Sequence, residues 1–181
     1  LKRIEYMAII NENSDEFIKI DSDDLKVLCS LGIKDFSFEG IDFSNVEFDK
    51  TNLTSLEISR CKLSTCNLDN LQVEESLFLS DDVELKDNGL SQFSHMTQIE
   101  QFTCINCEQL DLRGLANKKD MKRLILEGNV KNISSIKNLK QLTYIETTGV
   151  SNLLEYLPSS KNLETIIIND EDIQGIHFLR N

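Results

Sequence analysis

The chain has 181 residues, 40% of them hydrophobic, with 31 Asp or Glu against 19 Lys or Arg and a formal net charge of −12. That is enough for one soluble globular domain with a continuous core, while no stretch approaches the roughly 18 to 20 uninterrupted apolar residues of a membrane-spanning helix. Five cysteines, an odd number spread along the chain, argue against a disulfide-stapled secreted module.

The first element is a strand-like run from Ile4 to Ile10, followed by the polar stretch Asn11 to Glu16 and a short apolar patch at Phe17, Ile18 and Ile20. A helix signal comes next. Ser22 is a good N-cap, Asp23 and Asp24 sit in the first turn where they complement the macrodipole, Leu25, Leu28 and Cys29 share a face, and Gly32 can close the C-terminus. Residues 1–32 are expected to form an N-terminal cap, containing one helix, over the exposed edge of the first repeat.

From Phe38 onward apolar residues recur every five positions: Phe38, Phe43, Phe48, Leu53, Ile58, Leu63, Leu68 and Val73. Polar residues precede seven of them, and Thr51, Cys61 and Cys66 supply a small residue two positions before the centre. Over residues 36–75 this pattern resembles the pentapeptide-repeat family, which implies a four-sided β-helix with each central residue pointing inward. In the same slot Phe36, Ile41, Val46, Leu56 and Leu71 are bulkier than that family prefers.

A longer rhythm overlays the first. Leu-x-x-Leu-x-Leu spacing begins near Ile33, Leu53, Glu74, Ile99, Met121, Leu142 and Leu163, in steps of 20, 21, 25, 22, 21 and 21 residues. The clearest copy is Met121, Leu124, Leu126, Asn129, Val130, Ile133, Ile136 and Leu139. It resembles the leucine-rich repeat in its bacterial, SDS22-like form. The two periods are compatible, since a pentapeptide coil takes 20 residues and a leucine-rich repeat 20 to 22.

The expected fold is therefore a leucine-rich repeat or right-handed β-solenoid over residues 33–181, with pentapeptide-like coils at 36–75 and leucine-rich repeats at 96–181. Parallel strands would be joined by short 3₁₀ or loop returns. Ile133, Ile136 and Leu139 are spaced by three, which suits the eclipsed side chains of a 3₁₀ turn. Leu110, Leu112 and Leu115 do the same one repeat earlier, and Leu153, Tyr156 and Leu157 one repeat later. The segment from Asp81 to His95 is the irregular link and the expected kink, and Gly114, Gly128 and Gly149 read as turn glycines.

Candidate chemistry is sparse. Cys104 and Cys107 form a C-x-x-C, and Cys61 and Cys66 a wider pair, at spacings that thiolate zinc sites use. The repeat register separates them instead: Cys61 and Cys107 both fall on the slot of Asn129, two repeats apart, about 10 Å at strand spacing and too far for one tetrahedral ion. In the leucine-rich family, Asn or Cys in that slot hydrogen-bonds backbone inside the turn. His95 and His177 stand alone, and no Ser-His-Asp order, Gly-rich phosphate loop or His-Glu-x-x-His occurs. Paired carboxylates such as Glu74-Glu75, Asp81-Asp82 and Glu171-Asp172 lack a setting that would raise a pKa for acid–base work. The expectation is no enzyme, no metal and no cofactor.

One constellation does suggest function. Between the two inward leucines of each strand lies a residue that should face the concave side, and these are Ser37, Glu57, Phe78, Thr103, Ile125, Glu146 and Ile167, flanked by Ile105, Arg123, Glu127, Tyr144, Thr165 and Asn169. Alternation calls for polar residues there, yet Phe78, Ile105, Ile125, Tyr144 and Ile167 are apolar or aromatic and interleave with Arg123, Glu127 and Glu146. Such a mixture is the composition of a protein-binding patch.

Charge bears on the partner. Residues 1–90 hold 20 acidic and 9 basic side chains, and residues 91–181 hold 11 and 10. An acidic surface repels phosphate backbones and lacks the main driving force for direct nucleic-acid binding, so the expected partner is another protein, a basic one, with no membrane involved. Two alternatives stay open: a toxin-neutralising immunity protein, and an acidic DNA mimic inhibiting a topoisomerase, as the pentapeptide resemblance implies. The N-terminus has no signal-peptide order, which suggests the cytoplasm. The chain begins with Leu1 rather than Met, so a sensor segment of a larger protein is a further alternative. Ile173, Ile176, Phe178 and Leu179 are apolar with no polar cap, so Asn181 is a cut site or that end meets a partner or a second copy.

Overall fold

The computed structural model describes residues 6–13, 15–81, 83–106, 108–158 and 160–169. Ile4, Cys107, His177 and the apolar C-terminal residues from Ile173 to Leu179 lie outside them. The strands are β1 (Tyr6–Ile10), β2 (Ile18–Lys19), β3 (Asp35–Glu39), β4 (Ile41–Asp42), β5 (Thr51–Ser59), β6 (Leu71–Ser80), β7 (Gln101–Ile105), β8 (Arg123–Glu127), β9 (Tyr144–Thr148) and β10 (Thr165–Asn169), with one helix, α1 (Ser22–Ser30). Eight of the strands form a single parallel sheet in the order β1-β3-β5-β6-β7-β8-β9-β10, so each new strand is laid beside the one before it. The two short strands β2 and β4 pair separately.

Parallel pairing with a return of about twenty residues lines like positions up laterally. Phe36, Leu56, Leu77, Phe102, Leu124, Ile145 and Ile166 form one inward row, and Phe38, Ile58, Leu79, Cys104, Leu126, Thr147 and Ile168 the other. All of these up to β9 are buried, while Ile166 and Ile168 on β10 are half-buried. Each fully buried aliphatic or aromatic side chain contributes about 1.5–3 kcal/mol, so the sheet is held by two apolar ladders rather than by any one contact. The five-residue series is buried throughout, and Phe38, Phe43 and Phe48 pack ring to ring at 5.1 and 6.0 Å.

The strand starts sit two residues after the repeat starts read from sequence at β3, β7, β8, β9 and β10, while β5 and β6 begin earlier, at Thr51 and Leu71. Those two long strands carry both periods at once. Their register shifts once: Leu53 pairs with Val73 but Ser55 pairs with Ser76, so β6 takes three steps where β5 takes two. This bulge absorbs the extra residue that turns a step of 20 into one of 21.

The returns contain 3₁₀ turns at Lys86–Asn88, Leu90–Phe93, Leu112–Leu115, Ile133–Asn138 and Leu153–Tyr156. The last four stack on one another, as the three-residue spacing of their apolar residues predicts. Each strand from β5 to β9 is left through a residue of positive φ: Arg60, Asp81, Asn106, Gly128 and Gly149. Gly114 is different. It lies inside the turn Leu112–Leu115 rather than at a left-handed corner, and a Cβ placed there would overlap the Leu90 carbonyl. It is a close-packing glycine, not a turn glycine.

Two other expectations need correction. Asp21, not Ser22, caps α1: its carboxylate accepts from the amides of Asp23 and Asp24, and Asp24 answers with its own carboxylate on the Asp21 amide. A carboxylate one residue earlier completes a capping box, which the Ser22 hydroxyl does not. Asn129 is exposed and its side chain makes no hydrogen bond among the described residues. Cys61 does hold its turn, its thiol donating to the carbonyls of Ser59 at 3.2 Å and Phe38 at 3.5 Å. The segment 1–32 is more than a cover, because β1 is itself the edge strand of the sheet.

Candidate recognition surface

Because side chains alternate along a strand, the inward ladders leave three outward rows. The central row runs Ala8, Ser37, Glu57, Phe78, Thr103, Ile125, Glu146, Ile167 across all eight strands. A second row runs Tyr6, Asp35, Ser55, Ser76, Gln101, Arg123, Tyr144, Thr165. On the other side of the central row lie Ile10, Glu39, Ser59, Ser80 and Ile105, and further along Glu127, Thr148 and Asn169.

All eight residues singled out in the sequence fall on this face, and all are half-buried. Phe78, Ile125, Glu146 and Ile167 share the central row, Arg123 and Tyr144 are lateral neighbours in the second, and Ile105 and Glu127 lie in the third. The structure joins three of them into one unit. The Arg123 guanidinium lies 3.8 Å above the Tyr144 ring, and the Tyr144 hydroxyl donates to the Glu146 carboxylate. That bond, then burial, raises the tyrosine pKa above its ordinary value. Cation, ring and carboxylate hold each other in place before any partner arrives, which lowers the ordering cost of binding. At the entrance to these strands Lys122 pairs with Glu100 at 2.7 Å.

The ends of the strands form a second relief. A groove of about 650 Å³ runs past Arg60, Asp81, Asn106, Glu127 and Thr148. Asp81 is held below the usual carboxylate range, first by the Asn106 amide that donates to it. Compared with family models, curated proteins and solved structures, the chain finds no match in any of the three. The reading of its surface therefore rests on its own geometry.

The thiols are inward. Cys61, Cys66 and Cys104 are buried; burial pushes the Cys61 pKa to about 11 and that of Cys66 to about 12, so both are protonated at neutral pH and poor nucleophiles. Among the described residues no three His, Cys, Asp or Glu side chains converge as a metal site would require. The His95 ring nitrogen Nε2 bonds the Leu71 carbonyl at 2.8 Å, tying a return segment to β6.

Sequence reading missed the part of the face contributed by β1. Assigning residues 1–32 to a cap left Tyr6 and Ala8 out of the outward rows. The signal was present as the alternation of Tyr6, Ala8 and Ile10 with Met7 and Ile9.

Proposed function

We propose that this chain is a leucine-rich, right-handed solenoid with a pentapeptide-like first section, and that it acts as a cytoplasmic, non-enzymatic recognition module binding another protein on the outward, concave side of its sheet. One observation carries the reading. From β6 to β10 the exposed side of the sheet presents Phe78, Ile125 and Ile167 in one lateral row, beside the pre-assembled Arg123–Tyr144–Glu146 unit. Half-buried apolar and aromatic groups with charged anchors are where binding energy concentrates in protein interfaces.

The test is to isolate the partner from native lysate and measure its affinity for the wild-type chain and for the double variant Ile125→Asp/Tyr144→Asp. The variant is expected to bind about 30-fold more weakly or worse, with circular dichroism and melting unchanged. A partner bound as tightly by the variant removes this face from consideration. The acidity of residues 1–90 supports a second reading of the same surface, neutralisation of a basic toxin domain, for which co-purification with such a domain is the deciding observation.

A further inference from the structure

The N-terminal half of the open face differs in kind from the C-terminal half. Between β1 and β6 it holds a hollow of about 530 Å³ lined by Tyr6, Asp35, Ser55, Glu57, Ser76 and Phe78. Its two outward aromatic residues, Tyr6 and Phe78, stand three strand spacings apart, about 14 Å, and from Tyr6 to β6 the second row continues with Asp35, Ser55 and Ser76. A small floor between tall walls leaves room for a side chain from outside.

The polar groups around the hollow select its charge. Asp35 is the lateral neighbour of Tyr6, and Glu57 that of Phe78. Neither carboxylate is in an ion pair with a described cation. Ser37 lies on the same side between Ala8 and Glu57. It is only 8% exposed, and its hydroxyl, able to donate as well as accept, adds a small polar group beside the hollow. Ring faces attract cations, and two carboxylates supply the counter-charge. An anion is repelled by the carboxylates, and an apolar group leaves them without a counter-charge.

We propose that this hollow receives lysine or arginine side chains from an extended basic segment of the partner. Asp35 and Glu57 lie on adjacent strands and two positions apart, a diagonal of roughly 8 Å, close to the separation of residues i and i+2 in an extended chain. The inference rests on the recognition role proposed above and assigns the C-terminal rows to apolar contact and the N-terminal hollow to charge. Selectivity for basic partners resides in the hollow.

The probe is the blocked peptide Gly-Arg-Gly-Arg-Gly, with a norleucine counterpart, titrated into the ¹⁵N-labelled chain at low ionic strength. The arginine peptide is expected to shift amides of β3, β5 and β6, with a millimolar Kd that weakens as salt is added. The norleucine peptide should leave them in place. Asp35→Asn/Glu57→Gln, near-isosteric changes on the solvent side, should weaken the arginine peptide at least tenfold while leaving the spectrum folded. Ile125→Asp/Tyr144→Asp should not affect the peptide. Shifts scattered over the acidic surface, equal response to norleucine, or indifference to the Asp35/Glu57 pair would overturn the inference. Each of those results leaves the apolar rows to stand or fall on the separate loss of partner binding by the Ile125/Tyr144 variant.

Discussion

Replacing Lys118 by methionine is expected to stabilise the protein at neutral pH and to remove a rise in stability at alkaline pH. Lys118 is 1% exposed, and its ammonium donates only to backbone carbonyls, those of Phe93 and, at 3.3 Å, Ser94. Among the described residues no carboxylate pairs with it. Burial lowers its pKa from 10.5 to about 8, so below pH 8 the folded chain carries a charge it would rather release. Because the folded pKa lies below the unfolded one, the stability linked to this group is fully present above about 10.5 and is lost as pH falls through about 8. The full span corresponds to at most about 3 kcal/mol.

The carbonyls would not be orphaned by the substitution. Phe93 O also accepts from the Met96 amide at 3.1 Å, and Ser94 O from the Asn117 side chain at 2.7 Å. Methionine matches the lysine stem in length and carries no charge to desolvate. The assay is urea unfolding of both proteins at half-unit intervals from pH 7 to 10.5, with the difference in unfolding free energy as the readout. Taking the difference matters, because the buried thiols of Cys61 and Cys66 act in the opposite sense: their raised pKa values mean that stability is lost as pH rises from about 9. The variant should be more stable at pH 7, and its advantage should shrink as pH passes from about 8 towards 10.5. A constant difference across that range, or a variant destabilised at every pH, would refute the reasoning.

Gly114→Ala should cost about 3 kcal/mol or prevent folding, because the new Cβ meets the Leu90 backbone of the neighbouring turn and the stacked returns have nowhere to move; a melting temperature within 2 °C of wild type would contradict this packing. Thr147→Val should stabilise by about 1 kcal/mol, since the Thr147 hydroxyl is fully buried in the inward row with no hydrogen-bond partner among the described residues. Chemical denaturation checks it, and a loss of stability would mean that the hydroxyl is satisfied in solution.

Legibility followed periodicity. Leu124, Ile145 and Ile166 are lateral neighbours because a repeat of 21 or 22 residues brings like positions back to the same place in the sheet, and that recurrence is written in the apolar residues. The 3₁₀ turns were legible for the same reason, through three-residue spacing at Ile133 and Ile136. What stayed hidden depends on single contacts. Gly114 looks like any other glycine until Leu90 is laid beside it, and Lys118 reads as a surface residue because nothing local marks it as buried. The Arg123–Tyr144–Glu146 unit joins residues 21 and 2 apart; its members were named from their facing, but their mutual grip depends on rotamers. The strand-like run from Ile4 to Ile10 was legible, but its place at the edge of the main sheet was not, because Met7 and Ile9 offer only two inward residues.

Arg60 gives that edge a remote keeper. Its guanidinium reaches across 49 residues to the Asn11 carbonyl at 2.6 Å and also meets Glu39 at 3.2 Å, pinning the stretch just beyond β1. Met7 and Ile9 are only half-buried, so β1 depends on this latch more than inner strands depend on any one side chain. Loosening it would fray β1 from its Asn11 end, while the five-residue ladder with β3 still seats Tyr6 beside Asp35. Loss of that single guanidinium would thus soften the rim of the charge-reading end and leave the greasy end untouched.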